Sequence, residues 1–344
     1  MENATREGEF QSSLPIDGFN SDIREVCDQG PMIHGFDVAA VVGDWWPGNP
    51  DQQDLINQFQ AEYLDHMQQI YSRGGLITMA WHALNPIDDS DAWNGPHELW
   101  QLVEPSRCTD LEASVGALSN CGAAFGVFET RVAILADFVA QMQTDQGTPI
   151  PVILRPFHEN SGGWFWWGAD GIPADTYQQT FHEVWSWLVD YFAVTRDLHQ
   201  VLWAISPNGG GLTRDSYLAS LPDMDLVDVL GYDIYPDDMS DQLVELGVVV
   251  ALAEEYDKVA AVTETGPGLS GDPTQWGSDV WSQRVIGPIL NDATARRVAY
   301  LMLWYNRPGS SYSGPYAGHE SAADFRALCT GDAIAMEGEV NLYQ

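Results

Sequence analysis

One lysine, Lys258, is present in 344 residues, and only 14 residues in all are lysine or arginine against 50 aspartates and glutamates. A formal net charge of −36 excludes general affinity for nucleic acid or an anionic membrane surface, because like-charged polyanions repel. No apolar run reaches the length of a membrane span, and the opening MENATREGEF lacks the apolar centre of a signal peptide. No CxxC pair occurs, which removes the usual zinc spacing. HExxH, GxSxG and the phosphate loop GxxxxGK[ST] are all missing. What remains is a chain that is 45% hydrophobic with 14 tryptophans, a composition that disordered acidic chains lack. The acidic residues are spread along the chain, so the expectation is a folded protein with a carboxylate-coated surface. Such a surface suits molar salt, which screens repulsion within ~3 Å, and a salt-adapted source is expected.

Four cysteines stand at 27, 108, 121 and 329. Cys108 and Cys121 bracket a short loop, and Cys27 with Cys329 is placed to tie the two ends. Disulfides and free buried thiols both remain open, the former tied to secretion.

Residues 1–30 are polar and resist assignment. From 31 to 344 the pattern is one domain, without repeat or linker. Buried runs MIHGFDVAAVV, LITMAWH, PVILRPF, QVLWAIS, LVDVLGYDIY, VAAVTETG and RVAYLMLWYN read as strands, with helical periodicity between them, notably over 51–73, 128–143, 176–192, 241–256 and 321–329. A long loop is expected from 83 to about 115. Alternating strands and helices indicate parallel βαβ units. Chemistry-bearing residues recur at the carboxyl end of strand after strand, which favours a (β/α)8 TIM barrel over a doubly wound sheet. Seven strands are convincing; the eighth lies in the first 30 residues or is absent.

Two strands end in glutamate, Glu159 and Glu264, 105 positions apart. Across a barrel mouth such a pair supplies an acid and a nucleophile for glycosidic cleavage. Strand-end glutamates also serve as metal ligands or ion-pair partners. Loop tryptophans argue for sugar, whose C–H faces pack on flat rings. Trp164, Phe165, Trp166 and Trp167 follow Glu159 directly, while Trp81, Trp93 and Trp304 stand at other strand ends or loops. The glycine run Asn208–Gly211 is expected to be a tight loop and not a phosphate cradle. The acidic stretches 88–91 and 237–241 lack calcium-loop spacing and read as solvated surface.

RPFHENSGGWFWWG (155–168) resembles the signature of glycoside hydrolase family 26, whose best-known members are endo-β-1,4-mannanases. GGLITMAWHALNP (74–86), VLGYDIY (229–235), ETG (264–266), MLWYN (302–306) and GPYAGHESAADF (314–325) resemble its other segments. The resemblance, over about residues 32–328, implies retaining hydrolysis with Glu159 as acid/base and Glu264 as nucleophile. It implies that His158 supports the acid/base region and that Tyr235 holds the nucleophile. It also implies that His82, Trp164 and Trp304 line the subsites around the cleaved bond, with Trp81 beside them. The substrate expected is a β-mannan, taken without cofactor or metal by a secreted monomer. β-1,3-Xylan and mixed-linkage β-glucan are the alternatives on the same frame. A silent barrel that only binds polysaccharide is a third, disfavoured because a pure binder needs neither glutamate.

Overall fold

The computed structural model describes residues 21–268, 271–307, 311–340 and 342–343. Among the described residues nine short strands form: β1 Ile33–Asp37, β2 Leu76–Ala80, β3 Val152–Arg155, β4 Val201–Ile205, β5 Val229–Leu230, β6 Asp233–Ile234, β7 Val259–Ala260, β8 Val262–Thr265 and β9 Leu301–Leu303. Every ladder between them is parallel, in the orders β1-β2-β3-β4-β5-β7 and β6-β8-β9.

The two sheets are one wall. Between β5 and β6 the backbone passes so close to its neighbours that a Cβ on Gly231 would stand 2.5 Å from Thr263 Oγ1. There Thr263 Oγ1 accepts from the Tyr232 amide at 3.0 Å, and Gly231 N donates to Ile205 O at 2.7 Å. The nine strands therefore occupy seven barrel positions, the seven read from sequence. Ile33, Ile153, Ala204, Val229, Ala261 and Met302 form one buried cluster drawn from around the wall. Met302 also closes the seam between β9 and β1, its sulfur lying 2.8 Å from where a Cβ on Gly35 would stand. The fold is that of a TIM barrel, with inward side chains filling its centre. The eighth strand expected in the first 30 residues is not found in 21–30, and residues 1–20 lie outside the described residues.

The helices Gln52–Ser72, Phe125–Gln141, Ala174–Asp190 and Leu243–Glu255 bury apolar faces against the outside of the wall. The stretch expected to be loop up to 115 ends instead in a helix, Cys108–Val115, whose first residue is bonded to Cys121. Its eight residues are too few for periodicity to stand out. Within the unassigned N-terminal segment, the helix Asp22–Cys27 is disulfide-linked through Cys27 to Cys329, at the end of the closing helix Ala322–Cys329. All four cysteines are thus paired, and free thiols are ruled out. No helix among the described residues is long and apolar enough to cross a membrane.

Candidate active site

Arg155 ends β3, and it is the one charged residue in an otherwise aliphatic strand whose four residues are all buried. Its guanidinium lies inside the mouth of the barrel. Nη1 donates to Asp233 Oδ2 at 2.6 Å and Ser206 Oγ at 2.9 Å, and Nη2 donates to Glu264 Oε1. Thr263 Oγ1 donates to the second oxygen of Asp233 at 2.6 Å. Tyr235 Oη donates to Glu264 Oε2 at 2.8 Å. Both oxygens of Glu264 are therefore held, one by a cation and one by a neutral donor. Donors on both oxygens fix the direction of the carboxylate.

The chain then makes a strained turn. Phe157 and Glu159 have φ of +53° and +52°, left-handed values that cost on the order of 1–2 kcal/mol each for side chains with a Cβ. Neighbours hold the turn in place: Glu159 N donates to Ser206 O at 2.7 Å, and Asn160 Nδ2 to Ser220 O at 2.8 Å. The indole of Trp167 donates to His158 O at 2.7 Å, and Tyr177 Oη to Asn160 O at 3.1 Å. The result lifts the Glu159 carboxyl over the mouth, where Trp164 Nε1 donates to Oε2 at 2.5 Å. One oxygen from each of Glu159, Asp233 and Glu264 lies within 4.8 Å of the others.

Three carboxylates share one arginine there, so one of them is the natural holder of a proton. Burial, and then the charge of Glu264, push Glu159 up to about 7 from the ordinary carboxylate range, against the opposing pull of Trp164, Arg155 and His82. A divalent cation would find one oxygen each of Asp233 and Glu264 already bonded to Arg155, so the donor set is built around the guanidinium.

On the opposite wall, Asp37 at the end of β1 accepts from His82 Nδ1 at 2.8 Å, and His82 Nε2 meets His158 Nε2 at 3.2 Å. Burial lowers the pKa of His82, but the charge and hydrogen bond of Asp37 outweigh it and the net direction is up. His158 goes well down, through burial and then the charges of His82 and Arg155. The directions assign the shared proton to His82, with neutral His158 accepting. Trp93 stacks on His82 with centroids 5.1 Å apart and planes 18° from parallel, and Trp304 flanks it at 5.9 Å. An open hollow of about 380 Å³ continues from Tyr235 along Asp237, Gly268, Ser311 and Ser313.

Glu159, Glu264, His82, His158, Trp164, Tyr235 and Trp304 thus converge. Trp81 does not. It lies in the core, with its indole donating to Asp44 Oδ2 at 2.8 Å. Successive residues leaving a strand point to opposite faces, so His82 enters the mouth while Trp81 turns under the helices. The aromatic run after Glu159 divides likewise. Trp164 is 42% exposed, whereas Phe165, Trp166 and Trp167 are buried props for the turn. The glycine loop at 208–211 holds no anion, because Glu245 already accepts from Gly210 N at 3.0 Å and Gly211 N at 2.5 Å. In the acidic stretches, Asp88, Asp91 and Asp238 cap backbone amides of their own turns. Sequence reasoning assigned no role to Arg155, Asp233 or Asp37. A lone arginine closing an aliphatic strand was the available signal for the first.

Two carboxylates facing each other over an aromatic-rimmed trough, at the carboxyl ends of parallel barrel strands, define the class of barrel glycosidases. The sequence model of Glycosyl hydrolase family 26 matches residues 2–273, and the chain belongs to that family. Among curated relatives, a mannan endo-1,4-beta-mannosidase of Bifidobacterium adolescentis is 29% identical over 341 residues, covering 93% of this chain and 31% of the relative. One from Bacillus subtilis strain 168 is 26% identical over 258 residues, covering 71% of this chain and 60% of the relative. The chain therefore spans less than two thirds of either protein. Solved structures agree in fold over nearly the whole chain. A GH26 beta-mannanase from Bacteroides ovatus matches with TM-score 0.75 at 29% identity, covering 96% of this chain and 89% of that one. The catalytic domain of a GH26 endo-beta-1,4-mannanase from Bacillus sp. JAMB-750 matches with TM-score 0.83 at 25% identity, covering 99% and 88%.

Proposed function

We propose that the protein is an endo-acting β-1,4-mannanase that cleaves mannan with retention of anomeric configuration. The observation that carries this is the carboxyl pair: oxygens of Glu159 and Glu264 within 4.8 Å, with Glu264 held by Arg155 and Tyr235 and Glu159 poised at about 7. An oxygen pair that close supports double displacement, in which the carboxyl groups stand ~5–5.5 Å apart, over the ~6.5–9.5 Å arrangement of an inverting pair.

In the first step a Glu264 oxygen attacks the anomeric carbon, while Glu159 gives its proton to the departing glycosidic oxygen. The C–O bond to the leaving sugar breaks, and a glycosyl ester forms on Glu264. Esterification removes the charge of Glu264, so Glu159, now a carboxylate, takes a proton from water as that water attacks the same carbon. The ester bond breaks and both glutamates return to their starting states. His82, Trp93, Trp164 and Trp304 form the walls against which the sugars on either side of the cleaved bond pack, and His158 steadies His82. Mannan as substrate rests on the relatives described above, which are mannan-cleaving by name.

Two disulfides support an extracellular setting, since such bonds persist in oxidising compartments, and the acidic surface supports work in high salt by a monomer. The test is Glu264→Ala. Mannohexaose should still bind, and reducing-sugar release from mannan should vanish; unchanged turnover contradicts the assignment. Product analysis on mannan, β-1,3-xylan and mixed-linkage glucan in molar salt decides the polysaccharide.

A further inference from the structure

The segment after β2 carries the exposed wall of the trough, with Ala83 and Ala92 set in the core and Ile87 packed against it. Trp93, 58% exposed, stacks on His82 from a loop made largely of local turns, such as Asn85 N to Ser90 O at 2.8 Å and Trp93 N to Asp91 Oδ1 at 3.0 Å. Turns of this kind fix local shape and leave open where the loop sits on the barrel. Two side chains from separate elements answer that question.

Asp44, just beyond the short helix Ala39–Val42, is buried. Its Oδ2 accepts from Trp81 Nε1 at 2.8 Å and from Leu84 N at 3.3 Å, and its Oδ1 faces Arg131 Nε at 3.3 Å. Arg131, from the helix Phe125–Gln141, donates through Nη1 to Leu84 O at 2.6 Å and through Nη2 to Asp89 Oδ1 at 2.7 Å. Both backbone polar groups of Leu84 are thus gripped, the amide by the anion and the carbonyl by the cation. The ion pair itself locks the two grips together. The far side of the loop is fastened by Trp166, whose indole donates to Ala83 O at 2.8 Å and whose amide donates to Ala92 O at 3.0 Å.

We infer that Asp44 and Arg131 are positioning residues: their grip on Leu84 holds the Trp93–His82 stack against the trough and thereby sets affinity for the sugar packed on that wall. Neither side chain reaches the trough. A buried pair that served stability alone could be replaced by apolar residues with little change, whereas this pair directs Asp44 Oδ2 and both Nη atoms of Arg131 at the one segment after β2. The consequence for kinetics is specific. A displaced wall weakens ground state and transition state together, which raises KM and leaves kcat nearly unchanged.

The inference rests on the mannanase reading for its kinetic readout, so a second readout is taken without substrate. Asp44→Asn keeps a carbonyl for Trp81 and Leu84 and removes the charge opposite Arg131; Arg131→Lys keeps the charge and removes the planar grip. On mannohexaose, each should raise KM at least fivefold with kcat within twofold. In a Trp93→Ala background neither should raise KM further, because the wall is already gone. In the imidazole NMR spectrum, the His82 resonance should move in D44N and R131K toward its position in W93A, as the ring current of the stacked indole is lost. A wild-type KM in both variants, or an increase of equal size with and without Trp93, overturns the inference, as does an unmoved His82 resonance. A wild-type protein that fails to cut mannohexaose while His82 moves in D44N refutes the mannanase reading and leaves the clamp standing.

Discussion

The charge on Glu264 is one of the two causes that keep a proton on Glu159, so removing that charge should release it. Glu264→Gln preserves shape and abolishes the negative charge. With oxygens within 4.8 Å, two unit charges interact by about 332/(20 × 4.8), or about 3.5 kcal/mol, at an effective dielectric of about 20. At 1.36 kcal/mol per pH unit that is about 2.5. Charge spread over both oxygens, the opposing charge of Arg155 and the partial exposure of Glu159 reduce it to about one. Burial is the larger cause and survives the substitution, so Glu159 should still titrate above an ordinary glutamate. The reporter is built in: Trp164 donates to the Glu159 carboxyl at 2.5 Å, so its emission should follow the ionisation. The wild-type titration should centre near 7 and that of E264Q about one pH unit lower, and Trp164→Phe should remove the signal from both. The sign also fixes the activity profile. Glu159 acts as acid only while protonated, so kcat/KM should fall as pH rises through about 7. Identical midpoints in wild type and E264Q would refute the electrostatic coupling.

Two further perturbations test the supports of the site and of the barrel. Tyr235→Phe deletes the 2.8 Å bond to Glu264 and strands no buried donor; a charge-assisted bond worth about 1.5–3 kcal/mol predicts a 10- to 150-fold fall in kcat/KM, and a change below threefold would contradict it. At the other end of the barrel Glu337 accepts from Arg24 at 2.7 Å and Arg73 at 2.8 Å beside His34; burial raises its pKa, but His34 and Arg73 outweigh it and the net direction is down. Glu337→Gln should therefore lose about 2–4 kcal/mol in urea unfolding at pH 7, and the loss should fade as pH falls through the lowered value, where the wild-type carboxyl is neutral too; an equal loss at pH 3 would be contrary.

Strand positions were legible because buried β-runs and helical periods differ in repeat, and seven of them appear where the apolar runs predict. The two glutamates were legible for a related reason: each ends such a run. Side-chain direction was not. Trp81 and His82 are neighbours in a motif that suggests sugar contact for both, yet the pleat sends one into the core. Trp166 and Trp167 sit in a glycine-rich loop and are as buried as any strand residue, because a left-handed turn at Phe157 and Glu159 needs packing and a donor to hold it. Arg155 and Asp233 were hidden by distance, since the pair is made across 78 positions and only closure of the barrel brings it together. Glu245 filling the glycine loop is another long-range fact, invisible in the run Asn208–Gly211 itself.

The central claim, that Glu264 attacks carbon directly and Glu159 serves both halves of the reaction, has a direct stereochemical readout. Proton NMR of mannohexaose cleavage, followed from the first seconds, reports which anomer of the new reducing end forms before mutarotation. The account predicts the β-anomer first, decaying to the equilibrium mixture. Early appearance of the α-anomer would mean a single displacement by water and would contradict the roles assigned to both glutamates.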